Sequence, residues 1–108
     1  MQSIWSQTST NFEVIVVDDA SNDGTIEYLS SIKDDRFRFF CLPKNSGSYK
    51  ARNLGIDKST GTHILIWDSD DILYKNAIEV ITKELVVMQL LDMLITPADF
   101  VCNGKTVF

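Results

Sequence analysis

The stretch Phe12-Glu13-Val14-Ile15-Val16-Val17-Asp18-Asp19-Ala20-Ser21-Asn22-Asp23-Gly24-Thr25 decides the fold. Its first half, Phe12–Val17, is a short run rich in β-branched residues and reads as a buried strand. The strand ends abruptly in Asp18-Asp19, and Ala20 to Thr25 combine turn chemistry with helix-cap chemistry. Behind them Ile26, Leu29 and Ile32 recur at spacing three, enough for a short amphipathic helix. The same sequence of elements then repeats. Arg36–Cys41 reads as a second strand and Pro43–Ser48 as a loop. A helix follows over about Tyr49–Lys58, with Gly61 as a C-terminal capping signal. His63–Trp67 reads as a third strand, again ending in acid at Asp68-Ser69-Asp70-Asp71. Ile78, Ile81, Leu85 and Met88 mark one face of a long helix over about Lys75–Leu91, and Asp92–Thr96 starts another strand.

Alternation of this kind makes an α/β fold, a mostly parallel sheet with flanking helices. Ligands in such sheets bind beyond the carboxyl ends of the strands. Both acidic clusters fall at such ends, which is the first functional signal. The length of 108 residues fits one domain, and 44% hydrophobic content is ordinary for a chain that buries a core. Ten Lys+Arg against 15 Asp+Glu leave a net charge of −5. With no basic stripe to displace counterions, a nucleic-acid partner is excluded. The longest apolar runs, Val14–Val17, Ile64–Trp67 and Leu85–Met88, are far short of a membrane span. The N-terminus lacks the basic-then-apolar layout of a signal peptide. Cys41 and Cys102 lie far apart without CxxC spacing and read as reduced, mostly buried thiols of a cytosolic domain.

In Asp68-Ser69-Asp70-Asp71, alternate residues of an extended chain point the same way, so Asp68 and Asp70 can face one cavity. Two converging carboxylates repel unless they share a cation, and Mg²⁺ or Mn²⁺ suits that role and bridges to substrate phosphates. The competing reading is a solvated cluster in which one acid, Asp71 by preference, caps the next helix. Asp19, Ser21, Asp23 and Gly24 match half of a calcium loop, but its last position falls on Ser30 where a bidentate Glu is needed. A turn leading into a helix accounts for Ser21–Thr25 better. Asn45-Ser46-Gly47-Ser48, ahead of a helix carrying Lys50, Arg52 and Asn53, makes a plausible anion site. It matches neither a Walker A loop nor GxGxxG, and an exposed loop is the plainer reading. His63, the only histidine, sits inside the third strand and reads as structural.

Taken together, Ser6-Gln7-Thr8, the stretch Phe12–Thr25, Asn45-Ser46-Gly47, Ala51-Arg52-Asn53-Leu54-Gly55-Ile56, Gly61 and Asp68-Ser69-Asp70-Asp71 resemble the family 2 glycosyltransferases in order and approximate spacing. The resemblance covers nearly the whole chain and fades after about Asp92. It implies a GT-A, Rossmann-like fold and transfer of a sugar from a nucleotide-activated donor, most often a UDP-sugar, to a saccharide, lipid-linked or protein acceptor. By that resemblance Asp19 is similar to the aspartate that recognises the donor's base, and Arg52 to a basic residue that helps hold the nucleotide. Asp68 resembles the first acid of the DXD motif, near the ribose, and Asp70 the second, which holds Mn²⁺ or Mg²⁺ against the diphosphate. An inverting outcome and a cytoplasmic setting, extending to the inner face of the membrane, are implied in the same way.

Relative to the family pattern the chain starts inside the first helix, at Met1-Gln2-Ser3-Ile4-Trp5, without the first apolar strand. The acceptor half and the catalytic-base carboxylate would lie downstream of Phe108, so no residue is assigned as general base. The expectation is a single partial donor-binding domain over residues 1–108, inactive alone. The rival reading is a non-catalytic nucleotide- or metal-binding module that keeps the acids.

Overall fold

The computed structural model describes residues 1–88 together with the backbone of 100–102 and 105–107. In chain order its elements are α1 (Gln2–Trp5), β1 (Val14–Asp18), α2 (Thr25–Ser31), β2 (Phe37–Cys41), α3 (Ser48–Lys58), α4 (Ala77–Val87), β3 (Phe100–Cys102) and β4 (Lys105–Val107). The valine-rich run forms β1 because β-branched side chains suit a pleated, half-buried surface. It pairs with β2 in parallel, from Val14 opposite Phe37 to Asp18 opposite Cys41. Backbone bonds from Val14 N–H to the Arg36 carbonyl and from Leu42 N–H to the Asp18 carbonyl, both 2.8 Å, close the ladder at its two ends.

Parallel strands require a crossover, and α2 supplies it. Its Leu29 is 2% exposed and, with Ile4 at 6% and Val14 at 9%, makes up the buried apolar centre among the described residues. Helix α3 lies against β1: a Cβ added at Gly55 would meet Val17 Cγ2 at 3.6 Å. Helix α1 docks on β2 through Trp5 and Phe37, edge to face at 6.0 Å. The Arg36 guanidinium sits 4.7 Å from the Phe12 ring and 5.6 Å from the Trp5 ring, and pairs with Asp34 at 2.8 Å. The α/β class with a parallel sheet and flanking helices is therefore present, in the form of a small two-stranded sheet.

Several expectations are corrected. His63–Trp67 is not a strand: its backbone joins no sheet among the described residues, and Ile64, Leu65 and Ile66 are 51%, 48% and 55% exposed. Composition gives a segment the propensity to extend, but a strand exists only where a neighbour receives its backbone groups. The helix expected over Lys75–Leu91 is Ala77–Val87, and the strand expected at Asp92–Thr96 lies outside the described residues. The chain's last stretch, where no strand was expected, carries an antiparallel pair, β3 with β4, in register Phe100 opposite Val107. Cys41, the last residue of β2, is exposed rather than buried, and the side chain of Cys102 lies outside the described residues. No helix among the described residues is long and apolar enough to cross a membrane.

Candidate functional site

The site forms where β1 ends. Asp18 is buried there and its Oδ2 accepts the Ser21 N–H at 2.9 Å, closing a tight turn. Within that turn Ala20 holds φ at 62°. A left-handed backbone costs an alanine roughly 1–2 kcal/mol, so the turn stores modest strain. Asp23 then accepts both the N–H and the hydroxyl of Thr25, and Gly24, with φ at 86°, takes the N-cap position of α2 that only glycine fills without strain. Asp19 and Asp23 thus face different partners, which removes the calcium-loop reading.

Asp19 turns the other way. One carboxylate oxygen accepts the Ser46 N–H at 2.7 Å and the other the Gly47 N–H at 2.9 Å. Gly47 is the N-cap of α3. The amides expected to make Asn45–Ser48 an anion site do bind an anion, and that anion is the protein's own Asp19. Each carboxylate oxygen retains a second lone pair for another donor.

On the exposed face of α3, Arg52 Nη2 donates to Asp68 Oδ1 at 2.9 Å. The side chains are 47% and 59% exposed, so the pair is worth no more than about 1 kcal/mol. Its value is positional, since it brings the α3 motif against the acidic cluster. In that cluster the Asp71 N–H donates to the Asp68 carbonyl at 3.1 Å, a turn that leaves Asp70 exposed. Asp71 does not cap the following helix, because α4 begins six residues later with Asn76 as N-cap and no side-chain capping bond. Among the described residues no group of three or more His, Cys, Asp or Glu could hold a metal ion. Asp68 and Asp70 are hard oxygen donors of the kind Mg²⁺ and Mn²⁺ accept, and these ions commonly take one or two carboxylates and fill the rest with water and phosphate. The donor set fits such an ion on those terms. His63 is exposed, with Nδ1 3.0 Å from the Thr62 hydroxyl, and takes no part.

Two residues that motif reading left without a role hold this arrangement. Glu13 Oε1 accepts the Thr60 N–H at 2.6 Å, the Thr60 hydroxyl at 2.9 Å and the Gly61 N–H at 3.0 Å, while Oε2 takes Arg38. Gly61 is therefore docked on Glu13 instead of capping α3, whose C-cap is Ser59. A carboxylate heading an otherwise apolar strand was the available signal, since such a group needs partners. Gln7, the second, stood in the Ser6-Gln7-Thr8 motif with no role attached to it. It is 8% exposed and bonded to the backbone of residues 74 and 78.

The Thr60 N–H, then the Arg38 guanidinium, hold the Glu13 carboxyl down from 4.5 to about 2. A depressed carboxyl stabilises the fold above its ordinary pKa, and that contribution is lost as pH falls from about 4.5 towards 2. Between pH 6 and pH 3, urea unfolding is expected to show wild type losing about 1–2 kcal/mol more than Glu13→Gln, the figure reduced for solvent screening at the surface. Parallel losses in the two proteins would contradict this role for Glu13.

The model of the family described as glycosyl transferase family 2 matches residues 1–88. An uncharacterized glycosyltransferase of Rickettsia felis is 46% identical over 85 residues, covering 77% of this chain and 14% of the relative. A putative teichuronic acid biosynthesis glycosyltransferase of Bacillus subtilis is 35% identical over 81 residues, 73% of this chain and 32% of its own length. The succinoglycan biosynthesis protein ExoO of Rhizobium meliloti is 41% identical over 71 residues, 66% of this chain and 20% of its own. The chain thus spans less than a third of each of these relatives. No solved structure matches it.

Proposed function

The chain belongs to glycosyl transferase family 2, and from that premise we propose that it forms the donor-binding part of an enzyme that transfers sugar from a nucleoside diphosphate, UDP foremost, to an acceptor hydroxyl. The observation that carries the reading is the Arg52–Asp68 pair beyond the end of β1. It sets a guanidinium of α3 beside an exposed carboxylate of the acidic cluster, and a guanidinium is the group that grips diphosphate oxygens.

In this reading Arg52 exchanges Asp68 for diphosphate oxygens, and Asp68, once released, accepts from a ribose hydroxyl. Asp19 keeps the Ser46 and Gly47 amides and uses its remaining lone pairs on the N–H of a pyrimidine edge. Asp70, with Asp68 beside it, would hold Mn²⁺ or Mg²⁺, which supplies neutralisation of the charge that develops on the diphosphate as the glycosidic bond breaks. The general base belongs to no residue identified in this chain. Relatives named for teichuronic acid and succinoglycan biosynthesis favour a polysaccharide product, and a cytoplasmic location, at the membrane's inner face where such products are assembled, goes with it.

Calorimetry with UDP in the presence and absence of Mn²⁺ tests the reading. Wild type is expected to bind UDP in a Mn²⁺-dependent manner, and Asp19→Asn to weaken UDP at least 10-fold while leaving ADP little changed, a loss of about 1.4 kcal/mol. Absence of Mn²⁺-dependent UDP binding by wild type would defeat the proposal. Equal losses for UDP and ADP would remove Asp19 from base recognition.

A further inference from the structure

The acids at 68–71 occupy a stretch with few bonds of its own. Between Thr62 and Ile72 the described hydrogen bonds and ion pairs are the Arg52–Asp68 pair, the turn bond from Asp71 to Asp68 and the Thr62–His63 bond. Firm attachment lies at the two ends. At the entry Glu13 grips Thr60 and Gly61. At the exit the first residues of the chain grip residues 73–79. Ser3 Oγ accepts the Leu73 N–H at 3.2 Å, the Thr8 N–H donates to the Lys75 carbonyl at 2.9 Å and the Thr8 hydroxyl donates to Glu79 Oε2 at 2.7 Å.

Gln7 is the centre of that exit clamp. Its Nε2 donates to the Ser3 carbonyl at 3.1 Å and the Tyr74 carbonyl at 2.7 Å, and its Oε1 accepts the Ile78 N–H at 3.0 Å. The amide is nearly buried and reaches both sides of the turn that leads into α4. The carboxamide offers donors and an acceptor together at one uncharged tip, which is what two carbonyls and an N–H require. We propose that Gln7 is a positioning residue, which by clamping Tyr74 and Ile78 sets where Asp68 and Asp70 stand relative to Arg52. The part of this that concerns donor binding rests on the function proposed above.

Gln7→Glu is the discriminating variant. Ionised, the new carboxylate still accepts from Ile78 but faces the Tyr74 and Ser3 carbonyls without a proton to offer. Protonated, it donates to one of them again. Amide spectra of ¹⁵N-labelled chain are expected to show Trp67–Asp71 moving as well as Leu73–Glu79 when the variant is taken from pH 5.5 to pH 8, beyond the movement that His63 causes in wild type over the same range. At pH 8 the variant should bind UDP with Mn²⁺ at least 10-fold more weakly than wild type and recover to within about 3-fold at pH 5.5. Ser3→Ala, which removes only the Leu73 bond, should shift the same amides by less, and it serves should Gln7→Glu unfold at pH 8.

Shifts confined to Leu73–Glu79 in either variant would overturn the positioning role whether or not a nucleotide binds. Movement of the Asp68–Asp71 amides in a chain whose wild type ignores UDP would uphold the clamp and defeat the donor reading. The two failures are distinguishable.

Discussion

With Mn²⁺ present, Asp70→Ala is expected to bind UDP roughly 100-fold more weakly than wild type, a loss of about 2.7 kcal/mol. Without Mn²⁺ the two proteins should bind UDP equally weakly. The reasoning starts from the turn that ties Asp71 N–H to the Asp68 carbonyl and leaves the Asp70 side chain exposed. Asp68 has a cation already, the Arg52 guanidinium at 2.9 Å. Among the described residues no ion pair engages Asp70, and it is the acid available to a divalent ion. An ion shared with a diphosphate places two full charges against it in partial solvent, so removing its principal carboxylate should remove most of the metal's effect. Asp71→Ala is the control. Since α4 starts at Ala77 behind Asn76, the loss of Asp71 should leave helix content and UDP affinity within about 2-fold of wild type. Equal, undiminished binding by both variants would take Asp70 out of the metal site.

What the sequence made legible was what neighbouring residues decide among themselves. The run Val14–Val17 is apolar and β-branched, and it is β1. Ser48–Lys58 begins one residue from its expected start because small residues precede a helix-forming stretch. The placing of acids at strand ends held for Asp18 and Asp19. It failed for Asp68, because the strand expected before it does not form.

The partners were not legible. Asp19 meets amides 27 and 28 residues away, and Glu13 meets Thr60 and Gly61 at separations of 47 and 48. No periodicity encodes a contact at such range. Gln7 is the plainest instance: a polar residue just past a four-residue helix looks like surface, and its burial follows from two backbone groups some 70 residues downstream. Buried amides are retained where they satisfy backbone groups that would otherwise go unpaired. That rule identifies Gln7 only after the fold has brought those groups to it.

Leu29→Ala should be the most damaging single change to the fold. Leu29 is the most deeply buried apolar residue described, and only Ile4 and Val14 share that status. Truncating a buried leucine costs about 2–5 kcal/mol in lost transfer energy and residual cavity. Domains of this size have only about 5–15 kcal/mol in total, and so small a buried centre points to the lower end. Each kcal/mol moves the melting temperature by roughly 4–8 °C in a domain near this length, so a fall of about 10–30 °C is expected by calorimetry or circular dichroism. The loss reaches the site as well. Leu29 anchors α2, the Gly24 cap of α2 follows the strained turn at Ala20, and that turn carries Asp18 and Asp19. Loosening the helix should therefore weaken UDP binding at temperatures below the melt. Val87→Ala, at an exposed position near the end of α4, should by contrast change stability by no more than about 0.5 kcal/mol. A Leu29→Ala melt within about 3 °C of wild type would mean that the stabilising core does not centre on Leu29, since a side chain that contributes by burial cannot be truncated at so little cost.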